Sequence, residues 1–143
     1  FIQIFIVFYF VFAMRRFAEL PWWGAALATI AFLVVSVVGG GALRDWLGNA
    51  LNGSEGYVPP LLALFMVGAA LTLWNRTGAG ISLMLAGVLF AVSLTFRTID
   101  MDVCSGFPLG THFIWHTLNG VLLGLLIIAM SLYGVSRRRV AKA

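Results

Sequence analysis

Apolar residues fill five long stretches of this chain, and short groups of polar or charged residues separate them. The stretches cover residues 1–14, 22–41, 59–74, 79–96 and 109–135. A helix that crosses a membrane needs about 20 mostly apolar residues, and all but the first stretch reach or approach that length. Each is apolar around its whole circumference, as expected for helices buried in lipid and against one another. The pattern predicts an all-α fold, a polytopic transmembrane bundle of five spans that forms a single transmembrane domain over residues 1–143.

The longest connection, residues 42–58, contains apolar residues at helical spacing. These residues are Leu43, Trp46, Leu47, Ala50 and Leu51, with polar residues between them. This spacing predicts a short amphipathic helix that lies on the membrane surface and acts as an interfacial connector.

The composition excludes the soluble classes of protein. Hydrophobic residues make up 62% of the chain, charged residues make up 10%, and the mean hydropathy is +1.02. A soluble domain of this size leaves much of its surface in water and has no room to bury so much apolar surface. A soluble enzyme, a nucleic-acid-binding module and a disordered region are therefore excluded, and an integral multi-pass membrane protein with the lipid bilayer as its partner is indicated.

The nine basic residues predict the orientation of the spans, because cytoplasmic loops carry an excess of Lys and Arg. Five spans define two sides. One side receives Arg15, Arg16, Arg76, Arg137, Arg138, Arg139 and Lys142, and the other receives Arg44 and Arg97. The C-terminus is therefore predicted to be cytoplasmic, with 42–58 and 97–110 on the outer or lumenal side. The abundance of Ala and Gly favours a bacterial inner membrane over an endomembrane.

The chain opens on Phe1 and runs directly into an apolar stretch. A secretory signal would show a charged start, a short apolar middle and a small-residue cleavage site, and this order is missing. We expect the sequence to be part of a longer polypeptide.

The two histidines of the chain, His112 and His116, lie four residues apart at the start of the last apolar stretch. On a helix this spacing places both imidazoles on one face, where they can reach a single metal ion. Ionisable and metal-binding side chains are costly to insert in a membrane span, so their presence there indicates function. The pair is a candidate metal site.

Zinc is the metal that we favour for this pair. A catalytic zinc site needs at least three protein ligands, so a further ligand is required. Cys104 and Asp100 are alternatives on the same side of the membrane, and a ligand from outside this sequence is another. Membrane di-iron oxygenases need several histidine clusters, and two histidines on one helical turn cannot be the opposite axial ligands of one haem.

Asp100 precedes the histidines and admits two interpretations. Its carboxylate can orient a ligand histidine by accepting a hydrogen bond from the ring nitrogen that does not bind the metal. It can also be a structural loop charge or a partner of Arg97, which we prefer. Gly110 fits a loop that leads into a helix, and Thr111 is the predicted cap of that helix.

These residues carry a resemblance to a known family. The stretch Ile99-Asp100…Cys104…His112-Phe113-Ile114-Trp115-His116-Thr117-Leu118-Asn119-Gly120 resembles the last-helix signature of the alkaline ceramidases. That family belongs to a superfamily of seven-helix membrane hydrolases that includes the adiponectin and progestin receptors. The specific match covers about 22 residues, and the other spans agree in number and orientation without a distinctive motif.

The resemblance implies an intramembrane zinc amidase that cleaves ceramide-like lipids into a fatty acid and a sphingoid base. His112 and His116 match the two zinc ligands of the last helix. The family's Ser-x-x-x-His and its Asp on earlier helices have no counterpart here and are expected upstream of Phe1. The chain would then contain the last five of seven helices, and its catalytic serine and aspartate stay unassigned.

Two other functions stay open. One is a membrane receptor or sensor on the same scaffold, with a structural zinc and a lipid ligand. The other is a small transporter or assembly subunit without metal. Separately, the predicted orientation places Cys104 on an oxidising side, where it could form a disulfide with a cysteine outside this sequence.

Overall fold

The computed structural model describes residues 2–48, 50–107 and 109–134 as a bundle of helices, and no strand occurs among them. The helices are α1 (Ile2–Arg16), α2 (Trp22–Leu47), α3 (Val58–Leu73), α4 (Thr77–Thr98), α5 (Asp100–Val103) and α6 (His112–Tyr133), with a 3-10 turn at Glu55–Tyr57 before α3. The predicted all-α class is confirmed. Each of the five apolar stretches overlaps one of the longer helices, which are α1, α2, α3, α4 and α6.

Four segments of the described chain are long and apolar enough to cross a membrane. They are Trp22–Leu47, Glu55–Leu73, Thr77–Thr98 and His112–Tyr133. The chain is therefore a membrane-embedded helical protein. The first apolar stretch forms the 15-residue helix α1, which is shorter than these four.

The surface helix predicted within residues 42–58 does not form as a separate element. Instead α2 continues to Leu47 and stops at Gly48, whose positive φ of 58° ends the helix. The run of three glycines at 39–41 leaves the helix unbroken. Gly40 is buried, and a Cβ there would lie 3.3 Å from the Cα of Gly56, so the loop packs directly on this part of α2.

The tightest packing joins α3 to α4. A Cβ on Gly68 would lie 2.8 Å from Cγ of Met84, and a Cβ on Gly87 would lie 3.0 Å from the ring of Phe65. Gly80 lies so close to the backbone of Gly68 that neither position has room for a side chain. The small residues Gly68, Gly80 and Gly87 allow the two backbones to approach closely, which is how helices associate in lipid.

The core lies where α4 faces α3 and α6. Its buried side chains include Leu71, Leu83, Ala86, Phe90, Leu122 and Leu126. Ala13 and Met14 of α1 and Phe17, which follows α1, also belong to it. A buried serine makes polar contacts across this core. The hydroxyl of Ser93 in α4 lies 3.2 Å from Oδ1 of Asn119 and 3.3 Å from the carbonyl oxygen of Trp115, both in α6, and can donate to either. This pairing fixes the register of α4 against α6.

The basic residues gather at the two ends of the bundle. At one end Arg76 pairs with Glu19, and Arg16 donates to the carbonyl of Gly134. We call the opposite end, which carries Arg44, Arg97 and His112, the histidine end. Arg137, Arg138, Arg139 and Lys142, on which the predicted orientation also depends, lie outside the described residues, as do Phe1 and Val135.

Candidate functional site

Helix α6 places the two histidines together in its first two turns. The ring centroids of His112 and His116 are 4.8 Å apart, with an angle of 76° between the ring planes. Both residues are exposed on the surface of the described chain, and 47% of the His112 side chain is accessible. Two neutral imidazoles at this separation are suitable donors for one metal ion.

Asp100 caps α6 from outside that helix. Its Oδ1 accepts hydrogen bonds from the backbone N–H groups of Thr111, at 2.6 Å, and of His112, at 2.9 Å. The first N–H groups of a helix have no partner within the helix, so a carboxylate at this position stabilises the helix start. The start of α6 is therefore fixed by a side chain that lies 12 residues before its first histidine.

Thr111 is the N-cap residue by position, but the prediction that its side chain caps the helix is wrong. Its hydroxyl donates to the carbonyl of Phe96 at 2.5 Å and makes no capping hydrogen bond. The turn before it explains why Asp100 takes this place. Gly110 has a φ of 59°, and a Cβ there would meet Sγ of Cys104 at 3.0 Å and would also collide with the Asp100 carboxylate. The glycine lets α5 approach the start of α6.

The second carboxylate oxygen of Asp100 faces the first histidine. Oδ2 lies 3.6 Å from Nδ1 of His112. The cap that Asp100 forms was not among its predicted roles, which were a loop charge, a partner of Arg97 or a carboxylate that orients a histidine. The same carboxylate also lies beside the imidazole. A carboxylate against one ring nitrogen leaves Nε2 as the nitrogen available to a metal.

Trp115 lies against both imidazoles. Its ring centroid is 4.9 Å from that of His112 and 4.3 Å from that of His116, and the residue is buried. Because the indole contacts both rings, it limits the rotamers that they can adopt. The motif named Trp115 as a matched residue, but this contact was not predicted.

The guanidinium of Arg97 stacks on Trp115. The sequence allowed an ion pair between Arg97 and Asp100, and this pair does not occur among the described residues. The guanidinium carbon of Arg97 lies 5.0 Å from the centroid of Trp115 and 5.4 Å from that of Tyr57. The same guanidinium donates to the carbonyl of Gly53 at 3.2 Å. Cation–π stacking therefore joins the end of α4 to α6 and to the turn before α3. A lone Arg at a helix end was the only available signal for this role.

A zinc site needs three protein ligands, and the histidine pair offers two donors of a suitable type. No group of three His, Cys, Asp or Glu side chains suited to a metal occurs among residues 2–48, 50–107 and 109–134. Oδ1 of Asp100 already accepts two backbone hydrogen bonds. Cys104 is an exposed free thiol at the end of α5, and its predicted disulfide stays a prediction. The donor type of the histidine pair fits zinc, and the third ligand is not assigned.

Comparison with known proteins adds no relative. No family model matches the chain, and no curated protein or solved structure matches it. The function of this chain must therefore be inferred from the geometry of the histidine end and from the resemblance of residues 99–120.

Proposed function

We propose that this chain carries the metal-binding helix of an intramembrane zinc-dependent amide hydrolase that acts on ceramide-like lipids. One observation carries the proposal: His112 and His116 share a face of α6, and the carboxylate of Asp100 lies 3.6 Å from Nδ1 of His112. A histidine pair backed by a carboxylate is the usual arrangement around protein-bound zinc. The resemblance of residues 99–120 to the ceramidase signature supplies the substrate class.

Each residue around the pair has a definable task. Asp100 orients the His112 imidazole and fixes the first turn of α6, so that both rings keep their position along the axis of that helix. Trp115 restricts the two imidazoles, and Arg97 holds Trp115 in place. Such support matters because a site that is loose by about 1 Å loses much of its activity.

The chemistry required is the hydrolysis of an amide. Bound zinc would lower the pKa of a coordinated water and polarise the scissile carbonyl. The exposed position of the histidines on α6, beside the exposed Phe113, supports lateral access for a lipid from the bilayer. Release of a fatty acid and a sphingoid base completes the proposed reaction.

The proposal includes the wider architecture. The third zinc ligand, the serine and the aspartate would come from earlier helices of a seven-helix protein in which this chain forms the last five. The histidine end would face the outer side of a bacterial inner membrane, or the lumenal side of an endomembrane, with the C-terminus in the cytoplasm. The asymmetry of Lys and Arg between the two sides supports that orientation.

Zinc content and ceramide turnover of the full-length protein test the proposal together. Purified wild-type protein is expected to bind one zinc per chain by inductively coupled plasma mass spectrometry and to cleave a fluorescent ceramide. The variants His112→Ala and His116→Ala are expected to lose both, because each removes one ligand. Thr117→Ala is the matched control, since its exposed hydroxyl bonds, within the described part of the chain, only to the Phe113 carbonyl in its own helix.

The outcomes separate the alternatives. Equal zinc content in the wild type and both histidine variants would overturn the metal site and leave the metal-free transporter or assembly subunit. Histidine-dependent zinc and ceramide binding without product would instead support the receptor. Asp100→Asn retains an oxygen for the helix cap and removes the charge beside His112, so it is expected to weaken zinc binding about 10–100-fold with little loss of stability.

A further inference from the structure

A groove at the histidine end runs between α1, α2 and the start of α3, on residues that the proposed function does not use. It encloses about 500 Å³. Along α2 it extends from Phe32 to Arg44, which corresponds to about 18 Å at 1.5 Å per residue. None of the lining residues belongs to the histidine pair or to its Asp100 support.

The polarity of the groove changes along its length. Its part near Phe32 is apolar and is lined by residues such as Ile6, Val7, Phe32 and Leu33. Its mouth at the histidine end carries Gln3, Arg44 and Tyr57. A groove with a polar mouth and an apolar interior fits an amphiphile whose headgroup lies at the mouth.

Ser36, between these two parts, has a hydroxyl with no partner among the described residues. Its Oγ is buried and makes no hydrogen bond. Several other helical hydroxyls bond to the carbonyl four residues earlier, as in Thr29 to Ala25 and Ser82 to Gly78, and Ser93 bonds across to α6. A buried hydroxyl without a partner is unfavourable, so Ser36 marks a polar position in the groove wall between the apolar part and the polar mouth.

Arg44 determines the charge of that ligand. Two-thirds of its side chain is accessible, and Nη2 lies 3.8 Å from Oε2 of the buried Glu55, beyond hydrogen-bond distance. The carboxylate therefore holds the guanidinium at the mouth and leaves its donors available. A guanidinium recognises phosphate through two parallel hydrogen bonds.

We infer that this groove binds an anionic phospholipid, with the phosphate on Arg44 and an acyl chain along α2 towards Phe32. A guanidinium at the mouth of an apolar groove can pair with a lipid phosphate while the acyl chain lies along the apolar part. The inference does not rest on the proposed hydrolase, because it uses neither the histidines nor a metal.

Native mass spectrometry of the full chain with phosphatidylglycerol and phosphatidylcholine of equal acyl chains tests the inference. Wild-type protein is expected to bind phosphatidylglycerol about tenfold more tightly. Both lipids offer a phosphate to Arg44, but the choline cation of phosphatidylcholine neutralises the headgroup and is repelled by the guanidinium. Arg44→Gln is expected to remove the preference. The double variant R44Q/E55Q should do the same and avoids a buried carboxylate without a partner, so it answers the question if R44Q misfolds.

A second pair of variants blocks the groove instead of changing its charge. Gly41 lines the groove, and a Cβ on it would have no atom within 4 Å, so Gly41→Phe can fill the space without clashing with the chain. Gly124→Phe on α6 is the matched control, because a Cβ there is equally unobstructed. Only G41F is expected to reduce phosphatidylglycerol binding.

A preference for phosphatidylglycerol that survives in R44Q/E55Q, or binding by G41F equal to that of G124F, would overturn the inference. Displacement of the lipid by millimolar inorganic phosphate would also overturn it, since the acyl chain would then contribute nothing.

Discussion

Helices α2 and α4 are nearly equal in hydropathy, but they occupy different environments. In the most apolar 18-residue segment of α4, 44% of the residues are buried inside the chain, whereas 11% are buried in the corresponding segment of α2. The buried residues of α4 include Ala79, Gly80, Ala86 and Gly87, while α2 exposes Val34, Val35, Val37 and Val38. Hydropathy identifies both as membrane helices, and side-chain size decides which of them other helices surround.

The physical reason is that lipid tails are as apolar as a valine side chain. Little free energy is gained when an apolar face moves from lipid to protein, so close contact between backbones decides which helices associate. The glycines of α4 allow that contact, whereas the branched side chains of α2 keep neighbouring backbones away. The groove between α1 and α2 belongs to this looser half of the molecule.

The largest expected effect comes from breaking the close contact itself. Gly80→Leu places a side chain against Thr72 and the backbone of Gly68. We expect it to destabilise the bundle by about 3 kcal/mol or more, or to prevent folding, because backbone atoms cannot move aside as a flexible side chain can. Unfolding in a denaturing detergent measures the change.

The control for this variant is Gly124→Leu, whose added Cβ would meet no atom within 4 Å. We expect the control to remain within about 0.5 kcal/mol of the wild type. Equal stability of the two variants would show that α3 and α4 do not pack as described.

An intermediate effect is expected from a cavity in the core. Leu83 of α4 is 2% exposed, whereas Val37 of α2 is 75% exposed. Leu83→Ala should cost about 2 kcal/mol through lost packing, and Val37→Ala should change stability by less than about 0.5 kcal/mol. Thermal unfolding in one detergent compares the pair. A larger loss at Val37 would reverse the contrast between the two helices.

The smallest effect is expected at the cap of α6. Asp100→Ala removes the acceptor of two backbone N–H groups and should lower stability by about 1 kcal/mol, the usual value for a lost cap. Asp100→Asn keeps an acceptor oxygen and should lose less. Hydrogen exchange at the amides of Thr111 and His112 locates the change, and unchanged protection of both in Asp100→Ala would show that the carboxylate does not cap the helix.

The helices could be predicted from the sequence because apolar length is a local property. The stretch 59–74 corresponds to α3 at Val58–Leu73, and 79–96 corresponds to α4 at Thr77–Thr98. The predicted end of the second helix at Gly41 was wrong, since α2 continues to Leu47. Periodic apolar residues after Gly41 do not show whether a helix bends onto the membrane surface or continues. Packing of Gly40 against Gly56, a contact between positions distant in sequence, decides that it continues.

The candidate site was predictable in part, because the spacing of its two histidines is also a local property of the sequence. The spacing of His112 and His116 was sufficient to place their imidazoles together, since an α-helix determines that geometry. The supporting contacts of Asp100 and Arg97 depend on how the chain turns between α4 and α6. No periodicity in the sequence encodes that turn.

The cap of α6 also bears on the order of folding. The carboxylate of Asp100 and the amides that it binds are 11 and 12 positions apart. Closing so short a loop has a small entropic cost and takes place in about 10–100 ns. The histidine pair can therefore reach its final orientation within one helical hairpin, before α1 and α2 have docked. The contacts of Trp115 and Arg97 with Tyr57, and that of Arg97 with Gly53, must wait for the turn before α3.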